Sequence, residues 1–223
     1  MQVQNRNSGA VTEIRRQAFG QDHDTSLVDR FGIWLSRRSI ERHVSSFAAV
    51  SVIDVGCGFD ARFARSVRDQ VGSLTLCDVD LAPDLLSDPG IDTRTGPFET
   101  SAPALADAAY DVVMCMSVLE HFDDDATALG HLRRITRPGG VAIINVPSWR
   151  GKVVLELSAF RLGLSPAAEM NDHKRYYDPR DLWPLLVSAG FRPQDIRCRR
   201  HKFGLNTLAV CRVPEGEQDH ELR

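Results

Sequence analysis

Val52-Ile53-Asp54-Val55-Gly56-Cys57-Gly58-Phe59-Asp60 decides how this chain is read. An apolar, β-branched run enters a glycine turn and leaves into a segment of helical period, as a buried strand feeding a helix does. Gly56 permits the tight turn, and Gly58 lets the backbone approach a ligand with no Cβ in the way. Twenty residues past Gly58, at the end of the next apolar run, stands Asp78. A carboxylate there accepts both hydroxyls of a ribose, so the pair reads as a nucleoside site. Asp54, two residues before the first glycine, sets a negative charge beside the ligand. It would repel a pyrophosphate and attract a cationic amino-acid moiety or a sulfonium. Read as Gly56-x-Gly58-x-x-Ala61, the turn also fits the dinucleotide fingerprint, so an NAD(P)-dependent oxidoreductase stays open as the alternative.

Outward from the turn, further apolar runs cover 74–77, 112–116 and 141–146, with 50–55 as the first. Near-continuous apolar runs suit strands covered on both faces. Between them lie helix-period segments at 60–71 (Phe63, Val67, Val71) and 123–137 (Leu129, Leu132, Ile135), the second stopped by Pro138-Gly139-Gly140. This alternation predicts an α/β fold, a doubly wound parallel sheet. Segments 191–199 and 205–212 are strand candidates with a short loop between them, a terminal hairpin that makes the last strand antiparallel. A helix over 178–190 is signed by an Asp178/Asp181 capping-box variant, Pro179 at its first position, a Tyr177–Leu182 staple and Gly190 at its end. Pro184 is expected to kink it.

The chain has 223 residues, 43% of them hydrophobic, with 27 Lys+Arg against 30 Asp+Glu. Such a composition excludes a wholly disordered or low-complexity chain and gives no global basic field for nucleic acid. No apolar run approaches the roughly 20 residues that span a bilayer, and the start lacks a secretory core. Five cysteines, odd in number and mostly inside apolar runs, read as reduced thiols. The expectation is a cytoplasmic protein with one domain over 26–213 and flexible tails at 1–25 and 214–223. Residues 26–48 form an amphipathic helical region with Leu27, Phe31, Trp34, Leu35, Val44 and Phe47, and 149–177 is a long insertion after the 141–146 strand.

Several stretches together resemble one family, the class I S-adenosylmethionine (SAM)-dependent methyltransferases, of the type 11/12-like small-molecule group. They are Asp54-Val55-Gly56-Cys57-Gly58, Leu76-Cys77-Asp78-Val79-Asp80, Tyr110-Asp111-Val112-Val113, Val118-Leu119-Glu120-His121-Phe122 and Arg137-Pro138-Gly139-Gly140. The late run His173-Lys174-Arg175-Tyr176-Tyr177-Asp178-Pro179 resembles the family's ending, and the likeness covers about 50–212 in the expected order. It implies a Rossmann-like doubly wound sheet of seven strands, with SAM as cofactor. By the same resemblance Asp54, Gly56, Cys57 and Gly58 hold the methionine half, and Asp78 takes the ribose. Val79 packs on adenine, Phe98 with Glu99 borders its edge, and Met116 lines the floor near the sulfonium. The chain departs from the family pattern at Asp60, where a third glycine is common, and at Pro97, where an acid often follows Gly96. A non-catalytic SAM-binding partner protein is therefore a further alternative.

Methyl transfer asks little of side chains beyond holding the acceptor in line. Where the acceptor is a hydroxyl, a base removes its proton. His121, after the C-terminal end of a strand, and His173, near the end of the insertion, are the candidates, with Tyr176 and Tyr177 beside the acceptor. Each has a bland alternative: His121 packed beneath the next helix, Tyr177 as the staple. Asp123-Asp124-Asp125 invites a metal reading, but three acids at a helix start with Arg133, Arg134 and Arg137 near its end match the helix dipole, and no metal is expected. The run Arg197 to Lys202 is either a solvated edge that blocks strand pairing or a contact for a phosphate-bearing acceptor. The insertion is read as a lid, with a lipid-like acceptor or membrane surface as its second reading. The acceptor is expected to be a small molecule or glycan precursor methylated at oxygen, with no nucleic acid and no stable membrane insertion.

Overall fold

The computed structural model of the protein describes residues 27–44, 46–154 and 174–216. The assignments made above for the tails at 1–25 and 217–223, for His173 and for residues 155–173 of the insertion lie outside the described residues. Seven strands form one sheet: β1 (Ser51–Val55), β2 (Ser73–Asp78), β3 (Ile91–Thr95), β4 (Tyr110–Met116), β5 (Thr136–Pro147), β6 (Ile196–His201) and β7 (Asn206–Arg212). Their order is β3-β2-β1-β4-β5-β7-β6. β1 pairs in parallel with β2 and β4, and β4 with β5, whereas β7 runs antiparallel between β5 and β6. The fold is thus the doubly wound sheet with an antiparallel terminal hairpin that the sequence predicts.

Six of the strands fall on the predicted runs, and the seventh, β3, was not among them. Its sequence, Ile-Asp-Thr-Arg-Thr, is half-buried to exposed along its length, because it is an edge that packs with only its first residue against the core. The strands buried on both faces explain the apolar runs. On one side β1, β4 and β5 present Ile53, Val55, Val113, Cys115, Ile144 and Val146 to the helices α5 (Asp125–Ile135) and α6 (Pro179–Ser188). On the other, Val52, Leu76, Val112, Met114 and Ile143 meet Ala64, Val67, Leu85, Ile40 and Phe47.

Two helical expectations are revised. The segment read as a helix over 60–71 is helical only at Arg62–Val67, because Ala61 sits in the left-handed region (φ 44°) and delays the start. Helix α5 ends at Ile135, and Arg137 to Gly140 begin β5 instead of merely stopping a helix. Helix α6 contains Pro184 within its length, as the sequence reading places it. Its start is as read: the Asp181 carboxylate accepts from the Asp178 N–H at 2.9 Å, with Tyr177 and Leu182 both buried.

Asp111 of the Tyr110-Asp111 stretch works at the end of the sheet opposite the glycine turn. Its Oδ2 accepts from both the N–H and the hydroxyl of Ser51 at 2.7 Å, and its other oxygen pairs with Arg137. It fastens β1, β4 and β5 together at their N-terminal ends, so the register that carries the ligand end is fixed from behind.

A candidate cofactor site at the carboxyl end of the sheet

β1 delivers Asp54 and then Gly56 to the C-terminal edge of the sheet, the side where open α/β sheets bind ligands. The Gly56 N–H donates to the Cys77 carbonyl at 2.7 Å, which draws the turn over the end of β2. Gly56 has φ +70°, and a Cβ built there would lie 2.0 Å from a methyl of Val118. It therefore serves close packing of the β1 and β4 ends. Gly58 differs: it has φ +76°, but a Cβ there would meet no atom within 4 Å. Its bare backbone faces open space, as a surface approached by a ligand must.

Asp78 closes the turn from β2. One carboxylate oxygen accepts from the Gly58 N–H at 2.8 Å and the other from the Val79 N–H at 2.7 Å. The Gly96 N–H in turn donates to the Asp78 carbonyl at 2.9 Å, tying the loop after β3 to the same point. Asp54 is 5% exposed, and burial together with the neighbouring Asp78 pushes its carboxyl up to about 7. Two carboxyl groups thus converge on an open glycine turn, and a cation bound between them would relieve both.

Each remaining candidate among the described residues has a defined place. Met116, half-buried, ends β4 on the side of Asp54. Cys57 is half-buried, its Sγ 3.5 Å from the Gly58 carbonyl, and burial raises its thiol far from thiolate formation. Phe98 is 5% exposed and stacks on Phe122 with centroids 5.8 Å apart, so its ring belongs to the core. His121 closes a short 3₁₀ turn after β4 (Leu119–His121) and is half-buried at the ligand end. Tyr176 is half-buried, with its ring 5.7 Å from that of Trp149. Tyr177 is buried and its phenol donates to Asp125 at 2.7 Å, which makes it a structural residue in this geometry.

The acidic run at the start of α5 has a role the dipole reading did not include. Asp124 caps the helix, accepting from the Thr127 N–H at 3.0 Å. Asp123 accepts from Lys174 at 2.6 Å, and Asp125 pairs with Arg175 at 3.2 Å as well as with Tyr177. The run therefore docks the returning 174–177 segment beside β4. No group of residues suited to a metal ion occurs among the described residues.

One residue passed unnoticed in the sequence. Glu120, between Leu119 and His121, is 1% exposed, and neither of its carboxyl oxygens has a hydrogen-bond partner. Burial pushes its carboxyl up to about 8, while the ammonium of Lys202, in the turn between β6 and β7, draws it back. That partner is remote in sequence, so no local pattern signals the pair.

The methyltransferase-domain family matches residues 13–196, most of the chain, and the chain belongs to it, within the class I SAM-dependent methyltransferases. A probable SAM-dependent methyltransferase of Mycolicibacterium smegmatis is 29% identical over 182 residues, covering 78% of this chain and 65% of that protein. The chain thus spans somewhat less than two thirds of that relative. A ubiquinone biosynthesis O-methyltransferase of Pseudomonas paraeruginosa is 26% identical over 173 residues, covering 73% of this chain and 71% of that one. Among solved structures, a SAM-dependent methyltransferase from Archaeoglobus fulgidus shares the fold with TM-score 0.60 at 14% identity, covering 90% of this chain and 98% of that one. Magnesium protoporphyrin IX methyltransferase from Synechocystis, solved with S-adenosylhomocysteine, gives TM-score 0.60 at 17% identity, covering 92% and 96%. The family's cofactor is SAM, and this decides between the two cofactors that the glycine turn alone left open.

Gly56→Ala is expected to destabilise the protein strongly. A left-handed backbone costs a non-glycine residue roughly 1–2 kcal/mol, and crowding against Val118 adds roughly 1–3 kcal/mol. For a domain of this size that lowers Tm by about 5–15 °C, read by thermal denaturation. Adding Val118→Ala is expected to return the steric part and leave the backbone part. An unchanged Tm for Gly56→Ala would show that the two strand ends are not packed as described.

Proposed function

We propose that this protein transfers the methyl group of SAM to an oxygen of a small-molecule or glycan-precursor acceptor. The observation that carries the reading is the pair Asp54 and Asp78, converging on an open Gly58 at the ligand end of a methyltransferase sheet. On this reading Asp78 accepts from the ribose hydroxyls, Asp54 faces the cationic methionine end, and Met116 lines the floor near the sulfonium. When bound, SAM supplies a methyl group on a positively charged sulfur, an electrophile that needs no further activation. The choice of oxygen is supported by the relative named as a ubiquinone biosynthesis O-methyltransferase.

On this reading His121 is the general base. It closes the 3₁₀ turn that follows β4, at the same end of the sheet as Met116. With SAM and acceptor bound, the His121 imidazole would take the hydroxyl proton as the methyl group passes to the acceptor oxygen. Tyr176, in the described end of the insertion beside Trp149, is proposed to face the acceptor.

Incubation with methyl-labelled SAM and a panel of phenols, quinols and sugar precursors tests the proposal. Label is expected in the ether-extractable or glycan product. His121→Ala is expected to lower turnover about 10²–10⁴-fold while the SAM Kd stays within about twofold. Full turnover in that variant would leave His121 a packing residue. SAM binding with no transfer to any acceptor would favour the non-catalytic partner reading.

A further inference from the structure

The large apolar side chains left exposed are not scattered. Phe203 is 83% exposed, and its ring stacks on Phe31 at 6.4 Å, which in turn stacks on Trp34 at 5.7 Å. Phe31 and Trp34 belong to α1 (Leu27–Glu41), and each is about half exposed, although the sequence placed them on the helix's apolar stripe. The core instead takes Ile40, Val44 and Phe47. Next to Phe203, the Ser148 hydroxyl donates to the Gly204 carbonyl at 2.7 Å, and the Ser148 N–H donates to the Leu205 carbonyl at 2.9 Å. These bonds seat the helical residues 149–154 against the turn, and there Trp149, Val153 and Val154 are also exposed. Because β6 runs parallel to β1, its C-terminal turn lies at the same end of the sheet as the cofactor site. The apolar rim therefore borders the ligand end.

Backbone geometry sharpens the point. Lys202 and Phe203 occupy the left-handed region in succession, with φ 47° and 59°. Such conformations cost non-glycine residues of the order of 1 kcal/mol or more each, and here they hold an aromatic ring out in solvent. Burial gains nothing from that arrangement within the chain.

Behind the apolar tip lies a belt of cations. Arg197 and Arg199 project from β6 and Arg212 from β7, all from the face that α1 covers, where Arg42 joins them. The Arg212 guanidinium donates to the His43 carbonyl at 3.1 Å, and that of Arg199 lies 3.4 Å from the His43 ring. Burial and these four arginines depress the imidazole's proton affinity. Arg38 adds a cation over Trp34 at 5.6 Å. Protecting a sheet edge from pairing requires charges on β6 alone, but this belt extends to β7 and α1. Along β6, Arg199 and Arg197 trail the turn at Lys202–Gly204 by roughly 10 and 17 Å, at about 3.3 Å per residue. An inserted apolar tip with cations set back at headgroup depth is how a protein engages an anionic bilayer surface.

We propose that the α1 and β6–β7 rim docks the protein on an anionic lipid surface, with the ligand end facing the bilayer. This rests on the methyltransferase reading above and narrows its acceptor to a class that partitions into the membrane. Phe31 is stacked between Phe203 and Trp34, and Trp34 carries Arg38 over its ring, so few ring faces are left for the successive bases of a nucleic acid. No helix among the described residues is long and apolar enough to cross a membrane, so the contact is peripheral.

Co-sedimentation with vesicles tests the proposal, using phosphatidylcholine alone and phosphatidylcholine with about one-third phosphatidylglycerol. The full chain is expected to pellet with the anionic vesicles only and to be released by high salt. Phe203→Ser combined with Trp34→Ser, two exposed positions, is expected to weaken vesicle binding about tenfold or more. Arg197→Glu with Arg199→Glu is expected to abolish the preference for anionic lipid. SAM titration of the same variants is expected to give an unchanged Kd, which separates failure of this proposal from failure of the cofactor site. Three results would overturn it: no pelleting with anionic vesicles, binding of a labelled single-stranded oligonucleotide in place of vesicles, or a dimer that Phe203→Ser dissociates without any vesicle binding.

Discussion

Asp78→Ala is expected to remove SAM binding as measured by calorimetric titration, with the protein still folded. The Asp78 carboxylate already accepts from the Gly58 and Val79 N–H groups. A carboxylate oxygen has two lone pairs, so each can accept from a ribose hydroxyl as well as from a backbone N–H. Hydrogen bonds to a charged acceptor contribute about 1.5–3 kcal/mol each, so losing two weakens the Kd about 10²–10⁴-fold. The variant also releases two N–H anchors of the glycine turn, but they lie at the half-exposed ligand end, where water replaces the acceptor. The cost to stability is accordingly about 1 kcal/mol, a Tm change of about 2–4 °C. Asp78→Asn keeps one oxygen acceptor and is expected to fall between. An Asp78→Ala protein that binds SAM normally would remove the ribose assignment, and with it the main argument for where the cofactor lies.

What the sequence made legible is what depends on neighbours along the chain. The Asp54–Gly58 turn and Asp78 could be read because strand, turn and helix follow one another locally, and because buried parallel strands leave unbroken apolar runs. β3 escaped because an edge strand is solvated and carries no such run. The Asp123–Asp125 run signals a helix start, and Asp124 caps one, yet its flanking carboxylates hold Lys174, Arg175 and Tyr177 from about fifty residues away. Glu120 and Lys202 meet only because β4 and the β6–β7 turn end on the same side of the sheet. Likewise α1 has an apolar stripe in sequence, but which part of it is buried is decided by where the terminal hairpin crosses beneath it. Local rules locate the cofactor turn; tertiary pairing decides what surrounds it.

SAM affinity is expected to fall as pH drops below 7, and Asp54 is the reason. Its carboxyl is buried beside Asp78 and pushed up to about 7 from an ordinary value near 4. A raised carboxyl pKa works against folding as pH rises. Below about pH 4 the group is protonated in both states and contributes nothing. Between 4 and 7 the unfolded chain ionises while the folded one keeps its proton, so stability is lost progressively, to a total of about 4 kcal/mol at neutral pH. Binding has the opposite sign. A cationic ligand beside Asp54 favours the carboxylate, so below pH 7 binding must expel a proton, and the Kd weakens about tenfold per pH unit toward 5. Asp54→Asn separates the two effects. It is expected to raise apo stability at pH 8, because no buried charge remains. It is also expected to weaken SAM binding at pH 8 and flatten the pH profile between 5 and 8. Calorimetric titration in two buffers of different ionisation enthalpy would show the proton released by the wild type at pH 6 and its absence in the variant. A pH-independent Kd in the wild type would mean that the cofactor's cation does not lie against Asp54, and that the strain of a buried carboxyl there serves no ligand. The residue that makes the empty site costly to fold is the one that gives a cation reason to occupy it.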